Sequence, residues 1–218
     1  MLHRLRFVTG TDTGVGKTWV TAGLARRARA RGLRVAGLKA IESGCRRAPD
    51  GSGALIGEDD EALVEAAGAW QGPEDRCRCL FEPALAPGVV ADDLGVRIDL
   101  DAIEQQARSL VARTDLTLVE GAGGWTVPLG AGRTISDLAR RLAAPVVIVG
   151  RAGLGTINHS VLTVRAVAAD GLEIAAVVLS RQATDDLATA RRNAAEIRSQ
   201  TGATVVVSDE LDRVLDRL

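Results

Sequence analysis

Short, unbroken apolar runs alternate along this chain with stretches whose apolar residues recur every three or four positions. The runs cover residues 5–9, 34–38, 116–120, 146–149, 174–179 and 204–207, and most are Val, Ile and Leu without polar alternation. Such runs predict parallel strands buried on both faces. The amphipathic stretches cover residues 17–31, 60–67, 100–113, 134–142, 156–169 and 187–200, with Gly32, Gly171 and Gly202 placed as helix stops. Strand and helix in repeated alternation predict an α/β fold, a doubly wound and mainly parallel sheet flanked by helices. In that fold ligands gather at the C-terminal ends of the strands. Two segments break the rhythm, residues 42–57 and 71–95, and both read as long irregular loops.

Composition narrows the class. The chain has 218 residues, 46% apolar and 25% charged, which is ordinary for a globular protein and predicts one domain over 1–218. Its formal net charge of −1 argues against a polyanion-binding surface, so no nucleic-acid partner is expected. No apolar stretch is long enough to cross a bilayer, and the first ten residues hold no signal-peptide core. A cytoplasmic protein without a membrane partner is expected. Cys45, Cys77 and Cys79 are too few for a disulfide framework and read as free thiols.

One count points to chemistry. Of 27 basic residues only Lys17 and Lys39 are lysines. A compact ammonium on a flexible stem does work that a planar guanidinium cannot, so both positions are candidate site residues.

Lys17 stands in Gly10-Thr-Asp-Thr-Gly-Val-Gly-Lys-Thr18, directly after the first apolar run and at the start of the first helix. Backbone N–H groups of Gly14, Val15 and Gly16 would converge on phosphate oxygens there. Lys17 would reach the terminal phosphates and the Thr18 hydroxyl a Mg2+ ion. This is a P-loop, with Thr11 at the usual first-glycine position. Glu120-Gly-Ala-Gly-Gly closes the third run, placing an acid at a strand end and glycines where backbone must approach a γ-phosphate. Lys39 ends the second run beside the P-loop mouth, as a clamp for a transferring phosphoryl group. Glu58-Asp59-Asp60-Glu61 opens a helix, and most of the four are explained by the helix dipole. Gly153 to His159 follows the fourth run and begins a helix, where its N–H groups would either hold a carboxylate or phosphate or merely end the strand.

Together these segments resemble dethiobiotin synthetase. The matching features are residues 10–18, Ala-Gly-Leu-Lys…Ser-Gly at 36–44, and Val-Glu-Gly-Ala-Gly-Gly-Trp…Pro-Leu at 119–129. Phe81-Glu-Pro-x-x-Ala-Pro87 and Gly153-Leu-Gly-Thr-Ile-Asn-His159 extend the match. The resemblance implies a P-loop NTPase-type fold and a ligase that converts 7,8-diaminopelargonate, CO2 and MgATP to dethiobiotin, ADP and phosphate. It implies Lys17 and Lys39 as catalytic cations, and Thr18, Glu120 and Asp59 (rather than Asp60) as Mg2+ ligands. It gives Gly14 to Trp19, Asp59, Glu120, Gly121, Ala122, Gly123 and Ser180 to the nucleotide. Thr13, Lys39 and Ser43 fall to the diamine, and Gly155, Thr156, Ile157 and Asn158 of a second subunit to the substrate carboxylate, making a homodimer.

Three positions depart from the family pattern. Ala40 follows Lys39 in place of proline, Ser180 stands where an adenine-reading Asn is expected, and Val207-Ser-Asp-Glu-Leu211 replaces a Gly-x-x-Pro loop. Looser nucleotide selectivity is the expected result. The rival readings are a partitioning-type switch ATPase, an amide-forming synthase of the cobyrinic acid type, and an inactive nucleotide-binding paralogue. The first would carry a lysine early in the P-loop, where Thr11 and Asp12 stand. The second would need a glutamine-hydrolysing domain.

Overall fold

The computed structural model describes residues 4–216, so Met1–His3, on which the reading of the N-terminus partly rests, lie outside the described residues. Six strands form the central sheet: β1 (Leu5–Gly10), β2 (Val35–Lys39), β3 (Leu116–Gly124), β4 (Val146–Arg151), β5 (Ile174–Ser180) and β6 (Val205–Val207). Their order is β6-β5-β4-β1-β3-β2 and every pairing is parallel. The chain therefore goes from β1 to the edge strand β2, fills the gap between them with β3, and then crosses β1 to build outward through β4, β5 and β6. That reversal leaves a crevice at the C-terminal end of β1, the binding position of doubly wound sheets.

The continuous apolar runs are explained by two packed faces. Neighbours Phe7 and Val8 on β1 are both fully buried but belong to different core clusters. Phe7 joins Leu110 of α4 (Leu100–Arg113), Leu138 of α5 (Ile135–Leu142), Val164 of α6 (Thr156–Ala169) and Ile197 of α7 (Leu187–Thr201). Val8 joins Leu24 of α1 (Lys17–Ala30) and Leu63 of α2 (Glu58–Ala66). Because side chains alternate along a strand, a sheet covered on both sides needs an apolar residue at every position.

Neither irregular segment is wholly irregular. Residues 71–95 contain α3 (Pro87–Leu94), an eight-residue helix with proline in its first turn and Gly95 in the left-handed conformation at its end. Proline there reads as a breaker in sequence but is compatible with a first turn, where its missing N–H costs nothing. Residues 42–57 hold two-residue strands: Glu42–Ser43 pairs with Leu80–Phe81, and Arg46–Arg47 pairs with Leu55–Ile56. The outer edge of β2 is closed by a side chain. Gln71 accepts from the Gly37 N–H and donates to the Gly37 carbonyl, both at 2.9 Å, in place of a further strand.

Candidate active site

The P-loop leaves β1 at Gly10 and enters α1 at Lys17. Gly16, immediately before the helix, has φ +90° and offers no side chain to cap it. The first-turn N–H groups of α1 are thus left for an anion, reinforced by the helix dipole. A side chain at position 16 would collide with Ser180 Oγ at the end of β5, so glycine is required on both counts.

Lys39 and Glu120 meet because β2 and β3 are adjacent and place them in register. Lys39 Nζ lies 2.7 Å from Glu120 Oε1 and 2.5 Å from Asp59 Oδ2. Glu120 is fully buried and every oxygen is used: Oε1 also accepts from the Thr18 hydroxyl at 2.8 Å, and Oε2 accepts from the Thr21 hydroxyl at 2.6 Å. Lys17, also buried, donates to the Asp12 carbonyl at 3.3 Å.

Asp59 and Asp60 are separated by direction. The helix begins at Glu58, two residues earlier than the 60–67 stretch of the sequence pattern, so Asp59 lies with Asp60 in its first turn rather than before it. Asp59 turns toward Lys39. Asp60 turns away and accepts from Arg76 Nε at 2.8 Å and from the Cys77 N–H at 2.9 Å.

Electrostatics differ between the two lysines. Burial would lower both, but the Glu120 and Asp59 carboxylates outweigh it at Lys39 and hold that ammonium above the ordinary lysine range. At Lys17 burial wins, aided by repulsion from Lys39, and the ammonium is pushed below that range. Burial would lift the Asp59 carboxyl; contact with Lys39 and the Thr18 hydroxyl brings it below the usual range instead.

Two cavities flank the P-loop. One, of about 670 Å³, is lined by Thr13, Gly14, Gly16, Lys17, Thr18, Lys39, Ser43, Asp59, Ala122 and Gly123, and walled by residues 84–87 ahead of and at the start of α3. The other, of about 660 Å³, is lined by Gly14, Val15, Gly16, Trp19 and Ser180, with Arg151, Arg181 and Gln182 around its rim. Arg181 is engaged by Asp209 at 2.7 Å. Gly121 lines neither cavity; it lies against Phe7 and Ile135 in the core. Gly155 to Asn158 form the start of α6 and line neither cavity, although Gly153 and Leu154 just before them line the second: Gly155 and Asn158 are exposed, Ile157 packs partly on the core, and buried Thr156 lies beside Ser160.

Among the described residues no three His, Cys, Asp or Glu side chains gather as a metal cluster. The oxygen set that exists is two carboxylates, Asp59 and Glu120, and the Thr18 hydroxyl. Hard oxygen donors of that number fit Mg2+, which takes one or two protein carboxylates and completes its shell with phosphates and water.

Thr21, Glu42 and Arg151 belong to this neighbourhood and escaped the sequence reading. Thr21 carried a signal, since i+4 from Lys17 on one helix faces the same strand end. Arg151, at the end of β4, approaches the Thr13 carbonyl at 3.4 Å and had only its strand-end position to mark it.

The fold and the site define a P-loop nucleotide-binding α/β protein. Structural comparison agrees at the level of the fold. A DUF1611 family protein from Anabaena variabilis superposes with a TM-score of 0.58 at 19% identity over 99% of this chain and 58% of its own. The signal recognition particle receptor FtsY of Elizabethkingia anophelis gives 0.50 at 18% identity over 94% of this chain and 58% of its own. The chain therefore spans just over half the length of each of these two structures. In sequence, residues 4–214 match the AAA domain family. The ATP-dependent dethiobiotin synthetase BioD of Anaeromyxobacter dehalogenans is 46% identical over 197 residues, covering 89% of this chain and 84% of that protein. The protein of the same name from a Pseudomonas aeruginosa strain is 44% identical over 170 residues, covering 78% and 73%. This chain belongs to the dethiobiotin synthetase family. Among the described residues, no helix is long and apolar enough to cross a membrane.

Proposed function

We propose that this chain is an ATP-dependent ligase of biotin biosynthesis in the cytoplasm, forming dethiobiotin, ADP and phosphate from 7,8-diaminopelargonate, CO2 and ATP. The observation that carries the reading is the convergence of Lys39, Asp59, Glu120 and Thr18 beside the P-loop. Lys39, Asp59 and Thr18 line a cavity that continues past the phosphate site to Thr13 and Ser43, with fully buried Glu120 behind them.

In the first step a substrate amine adds to CO2 and loses a proton, leaving a carbamate. A carbamate oxygen then attacks the γ-phosphorus and ADP departs, giving a carbamic-phosphoric anhydride. The second amine attacks the carbamate carbon, phosphate leaves, and the ureido ring closes. Negative charge accumulates on the carbamate and on the transferring phosphoryl group, and a loose transition state is stabilised by position and charge. Lys39, kept protonated by its two carboxylates, and Lys17, under the P-loop, supply that charge. Thr13, Lys39 and Ser43 line the space for the diamine. Gly14 to Trp19, Ala122 and Gly123 embrace the phosphates, and Ser180 faces the base.

Thr18, Asp59 and Glu120 would hold Mg2+, which neutralises the phosphate oxygens when bound. Exposed Gly155 and Asn158, with Thr156 and Ile157, are suited to serve the site of a second subunit in a homodimer, where they would take the substrate carboxylate. The formal net charge of −1 gives the switch-ATPase reading no basic excess to rest on.

The test is ADP release from MgATP and bicarbonate with and without 7,8-diaminopelargonate, with the product identified by mass spectrometry. Diamine-dependent release accompanied by dethiobiotin is expected. Release that ignores the diamine would sink the assignment.

A further inference from the structure

Helix α2 has no cap of its own. Gly57 precedes it, and no side chain there accepts from the first turn. The acceptors come instead from Glu42, on the short strand that carries Ser43. Its Oε1 accepts from the Asp59 N–H at 2.9 Å and its Oε2 from the Asp60 N–H at 3.0 Å. Glu42 is 7% exposed, and the space for it exists because residue 57 is glycine: a Cβ there would overlap Glu42 Oε2 and lie 2.7 Å from its Cδ.

Capping alone does not account for this arrangement. The first turn of α2 already holds Glu58, Asp59, Asp60 and Glu61, which satisfy the helix dipole. A Ser or Asp at position 57 would cap the helix locally, without burying a further carboxylate next to Asp59. What a remote bidentate acceptor adds is orientation. Glu42 grips the turn on one side, and the Asp60 contacts to Arg76 and Cys77 grip it on the other. Between them Asp59 is left facing Lys39 and Thr18.

We propose that Glu42 is a positioning residue for the Asp59 carboxylate, tying the strand that carries Ser43 to the helix that carries the metal ligand. This rests on the reading of Asp59 as a Mg2+ ligand. Supporting residues behind a metal ligand commonly carry about ten- to hundredfold in metal affinity.

The experiment is direct Mn2+ binding to the protein–ADP complex, read by electron paramagnetic resonance, for wild type, Glu42→Gln, Asp59→Asn and the double variant. Gln keeps the shape but turns one acceptor into a donor facing an N–H. E42Q is expected to weaken Mn2+ binding about tenfold, with metal-free ADP affinity within about twofold of wild type. The double variant is expected to bind Mn2+ no more weakly than D59N alone, because both act through one carboxylate. Gly57→Ala, which keeps Glu42 but pushes it off the helix end, is expected to weaken Mn2+ binding in the same way and serves if E42Q does not fold. Wild-type Mn2+ affinity in E42Q and G57A, or effects that multiply in the double variant, would overturn the proposal while leaving Asp59 a ligand. Unchanged affinity in D59N would remove Asp59 from the metal set and overturn both readings.

Discussion

Lys39 and Glu120 are register partners on adjacent parallel strands, and their side chains close a 2.7 Å ion pair that is almost wholly buried. A buried pair is costly to assemble and more costly to break, because the survivor is left charged without a partner. Lys39→Met is therefore expected to abolish turnover and to destabilise the fold by roughly 3–5 kcal/mol. Adding Glu120→Gln should restore part of that stability, although not activity. Urea unfolding of the two variants checks this; a double variant less stable than K39M would refute the account.

Lys17 is expected to behave in the opposite sense. Its folded value lies below the ordinary 10.5, chiefly through burial and the nearby Lys39. The charged form is thus disfavoured in the folded chain, a cost present in full at neutral pH and relieved as pH rises through the folded value toward 10.5. Lys17→Met should stabilise the ligand-free protein at pH 7 and lose ATP binding. A gain of ~1 kcal/mol would raise the melting temperature by about 2–4 °C. The gain should shrink by pH 10, and an equal gain at both values would show that charge is not its source.

Ser180 sets the selectivity expected of the second cavity. Serine offers one hydroxyl, where Asn offers a paired donor and acceptor to the edge of adenine. Wild type should use ATP and CTP with similar kcat/KM. Ser180→Asn should favour ATP roughly tenfold, in line with the 1–3 kcal/mol of a paired contact to a base edge. Strict ATP preference in the wild-type enzyme would show that other groups read the base.

The second-subunit reading of Gly155 to Asn158 predicts complementation. Lys39→Ala and Asn158→Ala each damage a different half of a shared site. After mixing and subunit exchange, half of the dimers are mixed and each holds one intact site, so about a quarter of wild-type activity should return. Recovery absent despite proven exchange would place both residues in one chain's site.

The phosphate site was legible because its chemistry is local. Gly14, Gly16, Lys17 and Thr18 lie within five residues of one another, between a strand and a helix that the apolar pattern already marks. Helix α3 was not, since Pro87 in a first turn resembles a breaker. Thr21 and Glu42 were missed for another reason. Their partners, Glu120 and the N–H groups of Asp59 and Asp60, are brought to them by folding; Thr21 had its i+4 spacing from Lys17 as a hint, and Glu42 had none.

Sequence by itself determined the six buried strands, the order of strand and helix, and the residue types at the phosphate site. Those follow from side-chain periodicity and from backbone geometry over a few residues, which a linear pattern records. Tertiary structure alone decided that β3 lies between β1 and β2, so that Lys39 faces Glu120. It also decided that Asp59 faces the site while Asp60 faces Arg76, and that Glu42 caps a helix 17 residues away. Strand neighbours and side-chain directions depend on how the whole chain buries its apolar surface, a condition on all residues together that no single segment carries.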